Sequence, residues 1–174
     1  MIRFVAIDFE IADYGPDSAC AVALVTAVGG EIVRREQYLI RPPRRSFVFT
    51  YLHGIDWRRV AGEPTFKDLW PTIRKGLSEA DFLATHNARF DQSVLNACCE
   101  AAGVVPPPHR FVCTVRLARS AWGIYPTRLP DVCRFLGIRL HHHDPLSDAE
   151  ACARIVLASQ KHGKKSALVP MPVR

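Results

Sequence analysis

The sequence predicts one α/β domain built on a mixed sheet. Two apolar runs flank a Gly-Gly pair near the start, short apolar runs then alternate with helix-period segments, and no repeat, low-complexity tract or interdomain linker intervenes. With 174 residues and 48% hydrophobic content, a single core is the expected arrangement.

The opening "IRFVAIDFE" is rich in branched and aromatic residues and too short for a helix, so it reads as a strand buried on both faces and ending in acids. "ACAVALVTAV" and "EIVRREQYLI" flank Gly29-Gly30, whose tolerance of positive φ at both turn positions predicts an antiparallel hairpin. "RPPRRSF" is a basic, proline-bearing loop. "TFKDLWPTIRKGLSEA" then places Phe66, Leu69, Trp70, Ile73 and Leu77 at helical spacing, with Pro71 implying a kink or an early helical turn.

"DFLATHN" reads as a short buried strand and "RFDQSVLNACCEAAG" as an amphipathic helix closed by Gly103, followed by the loop "VVPPPHR". "RFVCTVRLARSAWG" is a strand running into a helix, "RLPDVCRFLG" a further helix, and "DPLSDAEACARIVLASQKHG" a long last one. The domain is expected to span residues 1–160, with 161–174 as a basic, mobile tail.

Twenty-three Lys and Arg against 17 Asp and Glu give a formal charge of +6, which suits a polyanionic partner but also occurs in ordinary soluble enzymes. No apolar run approaches the roughly 20 residues of a membrane-spanning helix. The start "MIRFVAIDFE" lacks the basic head, apolar middle and cleavage site of a signal peptide, so the expected location is cytoplasmic, with no membrane partner. The six cysteines form no C-x-x-C pair and read as reduced core residues.

Asp8 and Glu10 are two apart on the first strand, so a period of two puts both carboxylates on one face while Phe9 points away. Acids ending an apolar strand repel and are costly to desolvate unless they are paired, protonated, bound to a cation or simply solvated past the strand end. Asp91 lies near the start of its helix, where it either complements the helix dipole or joins such a site, and Asp148 has the same two readings.

In "HHHDPLSDAE", Asp144 is a good N-cap and Pro145 is preset for the first helical position. His143 then precedes the cap in extended backbone, and Asp148 lies about one turn inside the helix. Adjacent His141 and His142 would point in opposite directions, which argues against a three-histidine zinc centre and leaves both at the surface or a substrate edge. Carboxylate oxygens favour Mg2+ or Mn2+ over zinc.

The ordered set "DFE", "HNARFD" and "HDPLSD", with the softer stretches "LHGI", "PTFKDLWPTI" and "VCTVRLAR", resembles the DEDDh, or DnaQ-like, 3′–5′ exonucleases from Phe4 to about Leu157. The resemblance implies a ribonuclease H-like mixed sheet, an antiparallel hairpin plus parallel strands, flanked by helices. It also implies two divalent cations, Mg2+ or Mn2+. By the resemblance Asp8 approaches both ions, Glu10 and Asp148 hold the one carrying the nucleophilic water, and Asp91 supports the second, directly or through water. His143, five residues before Asp148, matches the histidine that defines the subclass and takes the role of general base.

The family usually has threonine where this chain has Ile11, and alanine where it has Pro145, so the contact with the terminal nucleotide differs at Ile11. Asn87 is either a helix cap or a substrate contact. Phe9 and Phe90 are either base-stacking surfaces or packed side chains. The basic clusters Arg41 with Arg44-Arg45, Arg58-Arg59 and Lys164-Lys165 either track phosphates or form a solvated surface.

The expected partner is nucleic acid, DNA 3′ ends first and RNA second, with a polymerase as a further partner. Two other readings stand beside it: a catalytically silent binding module, and a zinc hydrolase centred on His141 to His143.

Overall fold

A computed structural model describes residues 1–162. The first three strands, β1 (Arg3–Ile11), β2 (Ala19–Val28) and β3 (Glu31–Leu39), form an antiparallel meander. Its second turn is the expected one, with Gly29 and Gly30 at φ 61° and 97°. Two strands, β4 (Phe82–Thr85) and β5 (Phe111–Cys113), then add parallel to the other edge of β1, giving the order β3-β2-β1-β4-β5.

Alternation along β1 divides the core. Phe4 and Ala6 face the cluster built with α5 (Thr114–Trp122), α6 (Leu129–Leu136) and α7 (Pro145–Lys161). Val5, Ile7 and Phe9 face the cluster built with α3 (Phe66–Leu77) and α4 (Ala88–Ala102). The predicted mixed sheet with helices on both faces is therefore the observed one.

Two one-turn helices, α1 (Thr50–His53) and α2 (Trp57–Val60), occupy "TYLHGIDWRRV" and carry a small third cluster that includes Ala12, Ile55 and Val60. A single turn is too short to show helical periodicity in sequence. Pro71 lies inside α3 on its solvent-exposed side, and a capping box between Thr65 and Asp68 fixes the start of that helix. α7 runs to Lys161, so the expected tail falls on residues outside those described, apart from Lys161 and His162.

Two features of this scaffold position the site. Pairing between β1 and β4 stops at Ala6↔Ala84 and β4 ends at Thr85, so Asp8 to Ile11 project past the end of β4. The helix packed across the face that Phe4 and Ala6 share is α7, which directs its N-terminus toward that projecting segment.

Candidate active site

Asp8 and Glu10 lie on the projecting end of β1, opposite Ala23 and Ala21 of β2. Small partners on the neighbouring strand leave room beside both carboxylates. Asp144 caps α7 by accepting the Ser147 N–H at 2.8 Å, and Pro145 occupies the first turn, as the sequence predicts. One turn later Asp148 meets the β1 acids, and one oxygen each of Asp8, Glu10 and Asp148 lie within 4.8 Å of one another.

Asp91 arrives from α4 and closes the gap that β4 leaves. Its Oδ1 accepts the Phe9 N–H at 3.0 Å and its Oδ2 accepts the Thr85 hydroxyl. Both oxygens are thus committed inside a buried pocket, so Asp91 sits at the rear of the acid cluster.

The electrostatics of this arrangement are costly. Burial, and then the charges of Asp91, Asp148, Glu10 and Asp144, push Asp8 well above the usual carboxylate range. Burial and the same neighbouring acids push Glu10 up to about 8. Burial also raises Asp91, although the Thr85 and Phe9 hydrogen bonds pull the other way. Asp148 is raised by burial against the opposing effect of His142 and the His143 N–H.

Asp148 also carries an open valence. Its Oδ2 accepts from the His143 N–H at 3.1 Å and lies 3.0 Å from His142 Nδ1, while its Oδ1 is buried with no hydrogen-bond partner. An unpartnered buried carboxylate oxygen costs about 1–3 kcal/mol or more unless something occupies it. Clustered carboxylates that hold their protons for want of a counter-charge, plus that oxygen, fit hard divalent cations of the Mg2+ or Mn2+ kind.

The histidines depart from expectation. His143 adopts φ 67°, not extended backbone, and this turn lays its ring on that of His142, with centroids 3.9 Å apart and planes 20° apart. His142 is exposed, as expected, and is also a direct contact of Asp148. His141 remains exposed, its N–H donating to Ser147 Oγ at 2.8 Å. Burial and His142 hold His143 below the ordinary histidine range, so its imidazole is neutral at physiological pH.

The expected substrate contacts separate. Phe9 is buried against α3 and α4, which removes it as a base-stacking surface, and Ile11 is half-buried against the same cluster. Phe90 is 39% exposed and stays accessible. Asn87 occupies the N-cap position of α4 at φ 68° but makes no side-chain cap, so the capping reading fails. Asn87 instead lines a groove of about 920 Å³ at the start of α4, the helix that carries Asp91, together with His86, Arg89, Arg116, Arg119 and Arg128.

That groove was missed in the sequence because its arginines come from three segments and form no run. Its far wall includes the exposed Tyr125, with the Arg119 guanidinium 5.1 Å above the ring. His86 anchors the near wall, donating from Nε2 to the Thr127 carbonyl at 3.0 Å with Nδ1 at 2.8 Å from Thr114 Oγ1. Of the clusters singled out earlier, Arg44 is tied to Asp13 and Asp17, Arg45 lies over Trp57, and Lys164-Lys165 falls outside the described residues.

A second missed residue is His53, in the "LHGI" stretch. Its Nδ1 accepts the Ile55 N–H at 3.1 Å, so Nε2 donates to the Ile11 carbonyl at 3.1 Å, fixing the strand end beside Glu10. A larger groove beside α7, about 1010 Å³, is lined by Arg35, Glu150 and Arg154, both arginines pairing with Glu150.

A mixed sheet whose central strand ends in acids, completed by acids from two helices, defines a protein of the ribonuclease H-like class with a carboxylate cluster that could hold a metal. Comparison with known proteins narrows this. The RNase T family model, described as Exonuclease, matches residues 5–156. The chain belongs to this family of DnaQ-like, DEDDh 3′–5′ exonucleases.

It is 30% identical over 145 residues to exodeoxyribonuclease 10 of Escherichia coli strain K12, covering 78% of this chain and 59% of that protein. It is 27% identical over 166 residues to the PolC-type DNA polymerase III of Thermotoga maritima, covering 93% of this chain and 12% of the polymerase. The chain thus spans less than two thirds of the length of these relatives.

Among solved structures, the nuclease domain of 3′hExo, a DEDDh family member bound to rAMP, superimposes with a TM-score of 0.82 at 19% identity, covering 99% and 97% of the two chains. Exonuclease X in complex with 5′ overhanging duplex DNA gives 0.74 at 22% identity, covering 91% of each. These two likenesses show the shared fold. No helix among the described residues is long and apolar enough to cross a membrane.

Proposed function

We propose that residues 1–160 form a divalent-metal-dependent exonuclease unit that hydrolyses the terminal phosphodiester at DNA 3′ ends and releases nucleoside 5′-monophosphates. The observation that carries this reading is the convergence of Asp8, Glu10 and Asp148, the last with an unpartnered buried oxygen, backed by Asp91. Asp8, Glu10 and Asp148 would hold two ions, Mg2+ or Mn2+, with Asp91 supporting the second directly or through water. When bound, the ions lower the pKa of the attacking water and neutralise charge on the phosphate and the leaving oxygen.

The residues of the chain do the rest. His143, neutral at physiological pH, accepts the proton of the attacking water, and the 3′ oxygen of the penultimate nucleotide leaves. The Asp148 carboxylate fixes the backbone from which His143 projects. Arg89, Arg116, Arg119 and Arg128 track phosphates along the adjacent groove, while Phe90 and Tyr125 offer aromatic faces to bases without sequence preference. Asn87 and Ile11 border the terminal nucleotide.

DNA leads because the curated relatives are an exodeoxyribonuclease and a DNA polymerase, and the latter also makes a polymerase a candidate partner. RNA is the second reading, favoured by the likeness to a nuclease domain bound to rAMP.

The test incubates 3′- and 5′-labelled single-stranded DNA, duplex DNA and RNA with Mg2+ or Mn2+, alongside Asp8→Asn and His143→Ala. Stepwise shortening from the 3′ end is expected, with a loss of more than roughly 100-fold in Asp8→Asn, since even outer-shell partners of a metal cost 10–100-fold. Undiminished cleavage in Asp8→Asn, release from the 5′ end, or tight binding without cleavage by the intact chain refutes the assignment.

A further inference from the structure

We propose that His142, His143 and Asp148 form a second cation site, selective for zinc-class ions, whose occupancy shuts the exonuclease. The shut-down rests on the exonuclease reading; the binding site itself does not.

The geometry is specific to the turn before α7. One nitrogen of each ring and one Asp148 oxygen lie within 4.8 Å of one another. In extended backbone two adjacent histidines project to opposite sides, but the positive φ of His143 stacks the rings at 3.9 Å and 20°, so both can offer a nitrogen to one point. Asp148 is only 4% exposed, its Oδ2 already faces His142 Nδ1 at 3.0 Å, and its Oδ1 has no hydrogen-bond partner, so the buried carboxylate beside the two rings keeps an unused acceptor. The His142 side chain is 40% exposed, which gives an ion a path in from solvent and leaves that ring free to adjust.

The donor set then selects the ion. Two imidazoles and a carboxylate match the three protein ligands plus one open position of an accessible zinc site, with Zn–N of about 2.0–2.1 Å. Closing the trio onto such an ion needs a shift of roughly 1 Å, within reach of an exposed ring. Mg2+ gains little from imidazole and is held by oxygen, whereas affinity for nitrogen donors rises along the first transition row toward copper and zinc. The all-oxygen group and the mixed group therefore prefer different metals while sharing Asp148. A zinc-class ion on the mixed group takes Asp148 away from Asp8 and Glu10 and engages the nitrogen lone pair that His143 needs to accept a proton.

The experiment titrates the metal-free chain with Co2+, read by its visible absorption, and with Zn2+, read by calorimetry and by displacement of cobalt. The variants are His142→Phe, which keeps a ring to stack on His143, His142→Gln as a second choice, and Asp8→Asn, each checked for fold by circular dichroism. One zinc equivalent is expected in the wild type and in Asp8→Asn. Affinity should fall at least roughly tenfold in both His142 variants, the low end of the loss for even an outer-shell partner. In the Mg2+-supported reaction, the zinc concentration that halves the rate should rise by the same factor in those variants.

Equal zinc affinity in the folded His142 variants overturns the site. So does loss of zinc in Asp8→Asn with retention in His142→Phe, because the ion then sits among the oxygens. A chain that binds zinc as described but cuts no nucleic acid keeps the site and removes the exonuclease reading with its inhibition.

Discussion

Glu10→Gln should stabilise the metal-free protein at alkaline pH while destroying its response to Mg2+. Glu10 titrates near 4.5 unfolded and is pushed up to about 8 in the fold, by burial first and then by Asp148, Asp91 and Asp144. Because the folded value is the higher one, the protonated acid contributes stability that is fully present below about pH 4.5 and is lost as pH rises through about 8. At roughly 1.4 kcal/mol per pK unit the whole displacement has a ceiling on the order of 5 kcal/mol. Relaxation and water at the rim of a half-buried site reduce this to about 2 kcal/mol.

Glutamine mimics the protonated acid at every pH and so removes that loss. At about 2–4 °C per kcal/mol for a chain of this size, the variant should melt roughly 4–8 °C above wild type at pH 9 in chelator, with the gap closing by pH 4. Thermal unfolding by circular dichroism or calorimetry across that range reads the difference directly. With Mg2+ added at pH 8, only the wild type should gain further. A variant that melts with or below wild type at pH 9 in chelator refutes the claim that acid repulsion and burial, and not some hidden cation, set the state of Glu10.

Two other changes probe the rear and the flank of the site. Thr85→Val removes the hydroxyl that donates to Asp91 Oδ2 and holds its carboxyl down, so denaturant unfolding should show a loss of about 1–3 kcal/mol, and the acid limb of the pH–rate profile should move to higher pH. An unshifted limb would separate Asp91 from the titration that governs activity. Arg89→Ala, on the rim of the groove, should weaken single-stranded oligonucleotide binding across sequences and make the slope of log K against log salt shallower by about 0.7, the increment for one single-strand phosphate contact.

How much of this was legible in the sequence depends on how local the cause is. β1 and the hairpin were legible because branched residues and a Gly-Gly pair act within a few positions. The shared face of Asp8 and Glu10 followed from the period of two. The start of α7 followed from Asp144 and Pro145 in the same way. The contact of His142 with Asp148 was not legible, because it comes with the left-handed backbone of His143, which reading "HHHD" as extended chain does not allow. Thr85, His53 and the groove arginines were invisible because each acts on a segment dozens of residues away or across a helix start. Phe9 was resolvable in principle: a residue between two same-face acids must point to the other face, and here that face is the core under α3 and α4.

The acids themselves show why this site needs ions more than the fold needs the site. Nothing in the packing of β1 requires Asp8 or Glu10, since alanines oppose both on β2 and the apolar residues of the strand already fill the clusters on either side. Their burial raises every member of the group above its ordinary range, so protons and divalent cations compete for the same oxygens. Hydrogen bonds satisfy both oxygens of Asp91 and one of Asp148, and leave Oδ1 of Asp148 open. A purely structural role would have paired that last oxygen as well. A cation-binding role leaves it open, on a carboxylate that Asp8 and Glu10 approach.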